Sequence, residues 1–97
     1  MKVSCIIVGF AAVASAVTTR NCRAGLLDCG HTLLNLDPHY LSRIDDSLAR
    51  TGIAQANAHQ QSESLFFCNA NGSIDFVKEC AKGCLTQVSG VNDKCAE

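Results

Sequence analysis

The chain has no excess of positive charge, no apolar run of membrane-spanning length, no internal repeat and no linker long enough to divide it. Eight Lys and Arg stand against nine Asp and Glu in 97 residues, with three His besides. Nucleic acids and anionic membrane surfaces call for clustered Lys and Arg, and no such cluster is present. The same balance argues against a strongly cationic membrane-lytic peptide. The apolar run Val3–Val13 covers eleven residues, well short of the ~20 that a spanning helix requires, so no stable membrane insertion is expected.

That run follows the charged start Met1-Lys2 and precedes Ala14-Ser15-Ala16. The order of charge, short apolar core and small-x-small site is that of a secretory signal peptide. Cleavage is expected after Ala16, which makes residues 1–16 a signal peptide and residues 17–97 a single cysteine-rich domain. The mature protein is then secreted and extracellular, with seven basic against nine acidic residues once Lys2 is removed.

Cysteine is the residue present in plenty. Removing residues 1–16 takes away Cys5 and leaves Cys22, Cys29, Cys68, Cys80, Cys84 and Cys95. An even set in a short secreted chain reads as a disulfide framework. At this size a core alone supplies only about 3–5 kcal/mol, and three bridges at roughly 2–4 kcal/mol each offset the shortfall. Six cysteines allow fifteen connectivities. Cys80 and Cys84 are expected to bond elsewhere than to each other, and the pairing is left open.

Along the domain, Val17–Gly25 is β-branched and polar and reads as a short edge strand. Leu26–Leu36 fits neither a helical nor a strand period, with Gly30 breaking its middle, and reads as a buried, tethered stretch of short helix or irregular chain. In Asp37–Gly52, Asp37 suits an N-cap, Pro38 the first helical position and Gly52 a left-handed stop. Tyr40, Leu41, Ile44 and Leu48 give an amphipathic helix of about 13 residues, with Ser42, Arg43, Asp46 and Arg50 facing water. Asp46 and Arg50 also stand four apart in the favourable order.

The polar stretch Ile53–Glu63 reads as a surface connection or a frayed helix extension. Leu65–Phe67 and Ile74–Cys80 then read as a β-hairpin about Asn71-Gly72, with a helical turn near Cys80 as the second choice. The tail, Leu85–Cys95, is expected to end in a short strand. Together these elements define an α+β class: a small disulfide-stapled α/β sandwich, an antiparallel sheet with one or two helices packed on it.

Several residues invite a chemical reading. Cys22 and Cys29, with His31 two residues on, suggest zinc or a thiol nucleophile. Zinc sites use Cys pairs two to four residues apart plus a second pair. Cys80-x₃-Cys84 meets only the loosest spacing and Cys22-x₆-Cys29 does not. A catalytic thiol must be free, and six paired cysteines leave none spare. His31 therefore reads as a loop or packing histidine, while His39 and His59 read as solvent-facing. Asp45 and Asp46 are adjacent, but helix neighbours point about 100° apart and cannot flank one bond. A domain of this size is expected to lack a cleft of several hundred Å³. No enzyme, cofactor or metal site is expected. Asn71-Gly72-Ser73 is an N-glycosylation acceptor at an exposed hairpin tip.

The pattern C-x-x-GLLDCG-x-TLL from Cys22 to Leu34, the tyrosine-bearing helix, and then SLFFC, SIDFVKEC, KGC and NDKC resemble small secreted cysteine-rich proteins of filamentous fungi. These are treated as candidate extracellular effectors. The resemblance covers nearly all of the mature chain and implies a killer-toxin-like fold, with helices on an antiparallel sheet stitched by disulfides. It implies release outside the cell during colonisation of a plant, in the apoplast, and supplies no catalytic residue.

The expectation is a secreted, non-enzymatic effector-like binding protein whose partner is an extracellular host protein or glycan, with no nucleic acid involved. The alternative is an antimicrobial or killer-type toxin against competing microbes, and a third reading is a small hydrolase inhibitor. Loops on a rigid scaffold commonly carry recognition, which selects three surfaces: Asn69–Ser73, Thr51–Glu63 and Ser89–Asp93.

Overall fold

The computed structural model describes residues 21–97. The signal peptide anticipated at residues 1–16 and residues 17–20 of the anticipated edge strand lie outside the described residues. The remainder of that segment, residues 21–25, is not a strand. Pairing begins at β1, Leu27–Cys29, and leads into helix α1, Gly30–Leu36. Gly30 thus opens a helix instead of breaking one. It permits a close approach, because a Cβ there would lie 1.8 Å from the carbonyl oxygen of Gln61.

Helix α2, Tyr40–Arg50, is the anticipated amphipathic helix with its start moved inward. Asp37 acts one turn early, its carboxylate accepting from the His39 N–H at 2.9 Å. At the other end Gly52 takes φ +101°. Its N–H donates to Ala49 O, and that of Ile53 to Leu48 O, the paired closure of a Schellman motif. The buried stripe is Tyr40, Ile44, Ser47 and Leu48, while Leu41 is exposed. Ser47 therefore takes the place assigned to Leu41, and its Oγ is buried without a hydrogen-bond partner among the described residues. Arg43 and Arg50 do not simply face water. Arg43 lies over the Tyr40 ring and donates to Gly72 O, and Arg50 donates to Ile74 O, 3.6 Å from Asp75 instead of pairing with Asp46.

The polar connection contains a third helix, α3, Ala58–Ser62, started by a capping box between Asn57 and Gln60. Two such reciprocal bonds satisfy N-terminal N–H groups that a five-residue helix would otherwise leave open. Strands β2, Ser64–Cys68, and β3, Ile74–Glu79, form the hairpin, and strand holds through Glu79. Its turn differs from a two-residue Asn-Gly turn, because Gly72 alone has positive φ there. Asn69 and Ser73 pair across three loop residues, with Gly72 N–H donating to Asn69 O.

The sheet order is β1-β2-β3, all antiparallel, with a register shift between Leu65 and Phe66 that leaves Val77 of β3 as the extra residue. The tail forms a separate ribbon of β4, Cys84–Leu85, and β5, Lys94–Cys95. The fold is thus α+β, with three helical segments among the described residues where one or two were expected. Phe66, Cys68 and Ile74 pack with Leu33, Tyr40, Ile44 and Leu48 on the helical side. Leu65 packs with Cys29, Cys80 and Cys84 beside the ribbon. The hairpin is therefore covered on both faces, which is why consecutive residues Leu65 and Phe66 are both buried.

Three disulfides join Cys22 to Cys68, Cys29 to Cys84 and Cys80 to Cys95. The first ties the N-terminal arm to β2. The other two hold the ribbon to β1 and to the end of β3. Cys80 and Cys84 do bond elsewhere, and Cys84 reaches one of the N-terminal pair.

Candidate functional site

The bridges and hydrogen bonds hold two irregular segments apart above one end of the sheet. The arm, residues 21–26, is fixed by the Cys22–Cys68 bridge and by the bond from Gly25 N–H to Cys68 O. Tyr40, fully buried, accepts from Cys22 N–H at 2.9 Å and donates to Gly72 O at 3.2 Å. The loop Gln87–Asp93 is pinned at its base. Asn92 Oδ1 accepts from Leu27 N–H, and Asp93 N–H donates to Leu27 O. These bonds also cover the outer edge of β1, which would otherwise present unpaired backbone groups.

Asp93 is the centre of that anchorage. It is 3% exposed. Its Oδ2 accepts from Cys29 N–H at 2.9 Å and from Thr32 Oγ at 2.7 Å, and its Oδ1 accepts from Gln87 N–H at 2.7 Å. A buried carboxylate is tolerated when its lone pairs are met in this way. The residue assigned to a contact loop is therefore part of the scaffold, and only the loop's turn, Val88–Val91, projects. Val88 is 73% exposed and Val91 49%.

Between arm, loop and α1 lies an open groove of about 540 Å³. That volume is in the range of ligand sites, contrary to the expectation that so small a domain has no room for one. The bridges spread short segments around a gap that a single apolar core would have closed. From the arm come Arg23 and Leu26, from β1 Asp28, from α1 Leu33, Asn35 and Leu36, and from the loop Val88 and Val91. Burial first, and then the nearby Asp93 charge, push the Asp28 carboxyl above its ordinary range.

The residues singled out for chemistry are dispersed. His31 lies on α1, its ring nitrogen Nε2 2.9 Å from Cys84 O and 4.0 Å from Glu63 Oε1. Cys29, His31 and Cys84 bring three ligand-type atoms within 4.8 Å of one another, and the Cys29–Cys84 bridge commits both sulfurs to each other. His39 is exposed beside Asp37, and His59 Nδ1 stands 2.6 Å from Glu79 Oε2. Asp45 accepts from Gln61 Nε2 at 2.8 Å while Asp46 is exposed, so the two carboxylates diverge. Asn71 is exposed at the hairpin tip, where its sequon placed it.

Asp28, Asp93 and the groove had no signature in the sequence. Isolated aspartates 65 positions apart become neighbours only through the tail's return to β1. No family model, curated protein or solved structure matches the chain, and the site is defined by its own residues. Among the described residues no helix is long and apolar enough to cross a membrane.

Proposed function

We propose that the protein is a secreted, non-enzymatic binding protein of the extracellular space, an effector-like module that engages a host protein. The observation that carries this reading is the groove, with Val88 and Val91 on a loop locked to the scaffold through Asp93. Pre-ordered loops lose little entropy when they bind, and solvent-exposed valines at a groove mouth offer apolar area to a partner. Three disulfides support an oxidising destination. The groove favours protein over glycan, because no aromatic ring lines it and sugar rings commonly rest on aromatic faces.

The test is capture from host extracellular fluid with the oxidised protein, in parallel with a Val88→Asp/Val91→Asp variant. A host protein retained by the first and lost with the second is the expected result. Retention by both variants would move binding away from the groove. Growth inhibition of fungi or bacteria by the purified protein, with no host component retained, would replace this reading with the antimicrobial one.

A further inference from the structure

The groove contains a carboxylate that the rest of the chain leaves unengaged. Asp28 is half-buried on β1, opposite Phe66 of β2, and its carboxylate makes no hydrogen bond or ion pair among the described residues. Asp93 beside it is the reverse case, with both oxygens occupied by donors of the scaffold. The groove therefore holds two neighbouring negative charges, of which one is free to meet a ligand.

Its walls are mixed, with Leu26, Leu33, Leu36, Val88 and Val91 supplying aliphatic surface between polar residues such as Asn35 and Gln87. An aliphatic stem that ends in a positive charge matches this arrangement, the stem on the walls and the head on the carboxylate. Arg23 lines the same groove and forms no ion pair with Asp28, which leaves its guanidinium to donate to a backbone carbonyl of an extended chain. Other ligands fit less well. A phosphate would meet the two aspartates, a sugar would find none of Tyr40, Phe66, Phe67 or Phe76 in the lining, and a divalent cation would find Asp93 already committed.

We infer that the groove receives a lysine or arginine side chain from an extended segment of a partner protein, its cationic head on Asp28 and its stem along the leucine and valine walls. This rests on the reading of the protein as an extracellular binding module and adds the chemistry of what is bound. A bound cation favours the charged carboxylate, so affinity falls as pH drops through the titration of Asp28. The ionisable groups lining the groove with it are Asp93 from the loop and Arg23 from the arm. Helix α1 presents Thr32, Leu33, Asn35 and Leu36 there, all uncharged.

The experiment titrates oxidised, ¹⁵N-labelled protein with acetyl-Ala-Ala-Lys-Ala-Ala-amide and its arginine counterpart. Peptides with acetyl-lysine or glutamate at the centre are the controls. Amide shifts at Asp28, Thr32, Asn35 and Val88–Val91 are expected with the two cationic peptides. Binding should weaken about tenfold or more on acetylation, on Asp28→Asn and on acidification. Asp28→Glu should keep the preference for a cationic centre, and an unchanged unliganded spectrum shows that each variant is folded. No shift with either cationic peptide, shifts elsewhere, or shifts that survive Asp28→Asn would overturn the inference. Capture from host fluid separates the two levels. Loss with Val88→Asp/Val91→Asp but not with Asp28→Asn removes this inference and leaves the binding function standing, whereas loss with neither removes both.

Discussion

Asp93 accepts the backbone N–H of Cys29 at 2.9 Å across 64 positions of sequence. The bond closes the tail onto the edge of the sheet, and the same carboxylate holds Thr32 of α1 and Gln87 at the start of the loop. One side chain thus positions two walls of the groove. Asp93→Asn replaces an acceptor with a donor that must face an N–H or O–H group. The expected cost is about 2–4 kcal/mol, read as a lower urea midpoint for the oxidised protein. An unchanged midpoint would show that the loop is held by other means.

Asp28 gives a pH prediction of unusual sign for a carboxylate. Its folded pKa is raised, by burial first and by Asp93 second. The folded state then binds this proton more readily than the unfolded chain does, and the charged form costs stability. That cost is present above the folded pKa and is relieved as pH falls toward the unfolded value, near the ordinary 3.8. Asp28→Asn should therefore stabilise the protein at neutral pH, with the gain vanishing below that window. Thermal melts of both proteins across pH 3–8 provide the check, and a variant less stable than the parent at neutral pH would contradict it.

Gly30 meets the backbone of the segment leading to β2. Adding one carbon places it 1.8 Å from Gln61 O, and backbone cannot swing aside as a side chain can. Gly30→Ala should cost about 2 kcal/mol or more, despite the better helix propensity of alanine. A melting point equal to or above that of the parent would show that α1 and α3 can separate freely.

The bridges differ in the length of chain they close. Cys80–Cys95 spans 15 residues, against 46 for Cys22–Cys68 and 55 for Cys29–Cys84. Chain-entropy reasoning gives about 3 kcal/mol for the first and about 4 kcal/mol for each of the others. Paired alanine variants should rank in that order in urea titrations. If loss of Cys80–Cys95 proved the most damaging, anchorage of the ribbon would outweigh loop closure.

Asn71 stands exposed at the hairpin tip, its Oδ1 accepting from the N–H and Oγ of Ser73. Its Nδ2 is left uncommitted, the atom to which a glycan attaches. Protein secreted from a eukaryotic host should lose mass on glycosidase treatment, and Ser73→Ala should abolish the difference. An unchanged mass in the parent would show the sequon to be a turn only.

Local patterns in the chain were enough to expect an amphipathic helix between Asp37 and Gly52, which the structure shortens to Tyr40–Arg50, the hairpin around Asn71-Gly72 and the set of six bridge cysteines. A 3.6-residue stripe, a left-handed glycine and an even cysteine count each act within a few residues or through composition alone. The departures from those patterns have long-range causes. Ser47 displaced Leu41 from the stripe because the helix is turned toward Phe66 and Ile74. Gly30 reads locally as a breaker because the backbone it must pass, at Gln61, lies far along the chain.

The pairing of the cysteines and the groove belong to another level. Which sulfurs meet is set by the tail's return to β1 after passing β3, and no spacing rule encodes that path. Asp28 and Asp93 carry no motif: Asp28 stands alone between Leu27 and Cys29, and Asp93 lies between Asn92 and Lys94 in a polar turn. Their proximity arises when β5 and its loop dock against the sheet, where the Cys29 N–H demands an acceptor and Asp93 supplies it. Local sequence thus settles the elements and their chemistry, because helix periods, turns and thiols act at short range. The groove depends on long-range closure by disulfides and one buried carboxylate, and exists only once those contacts form.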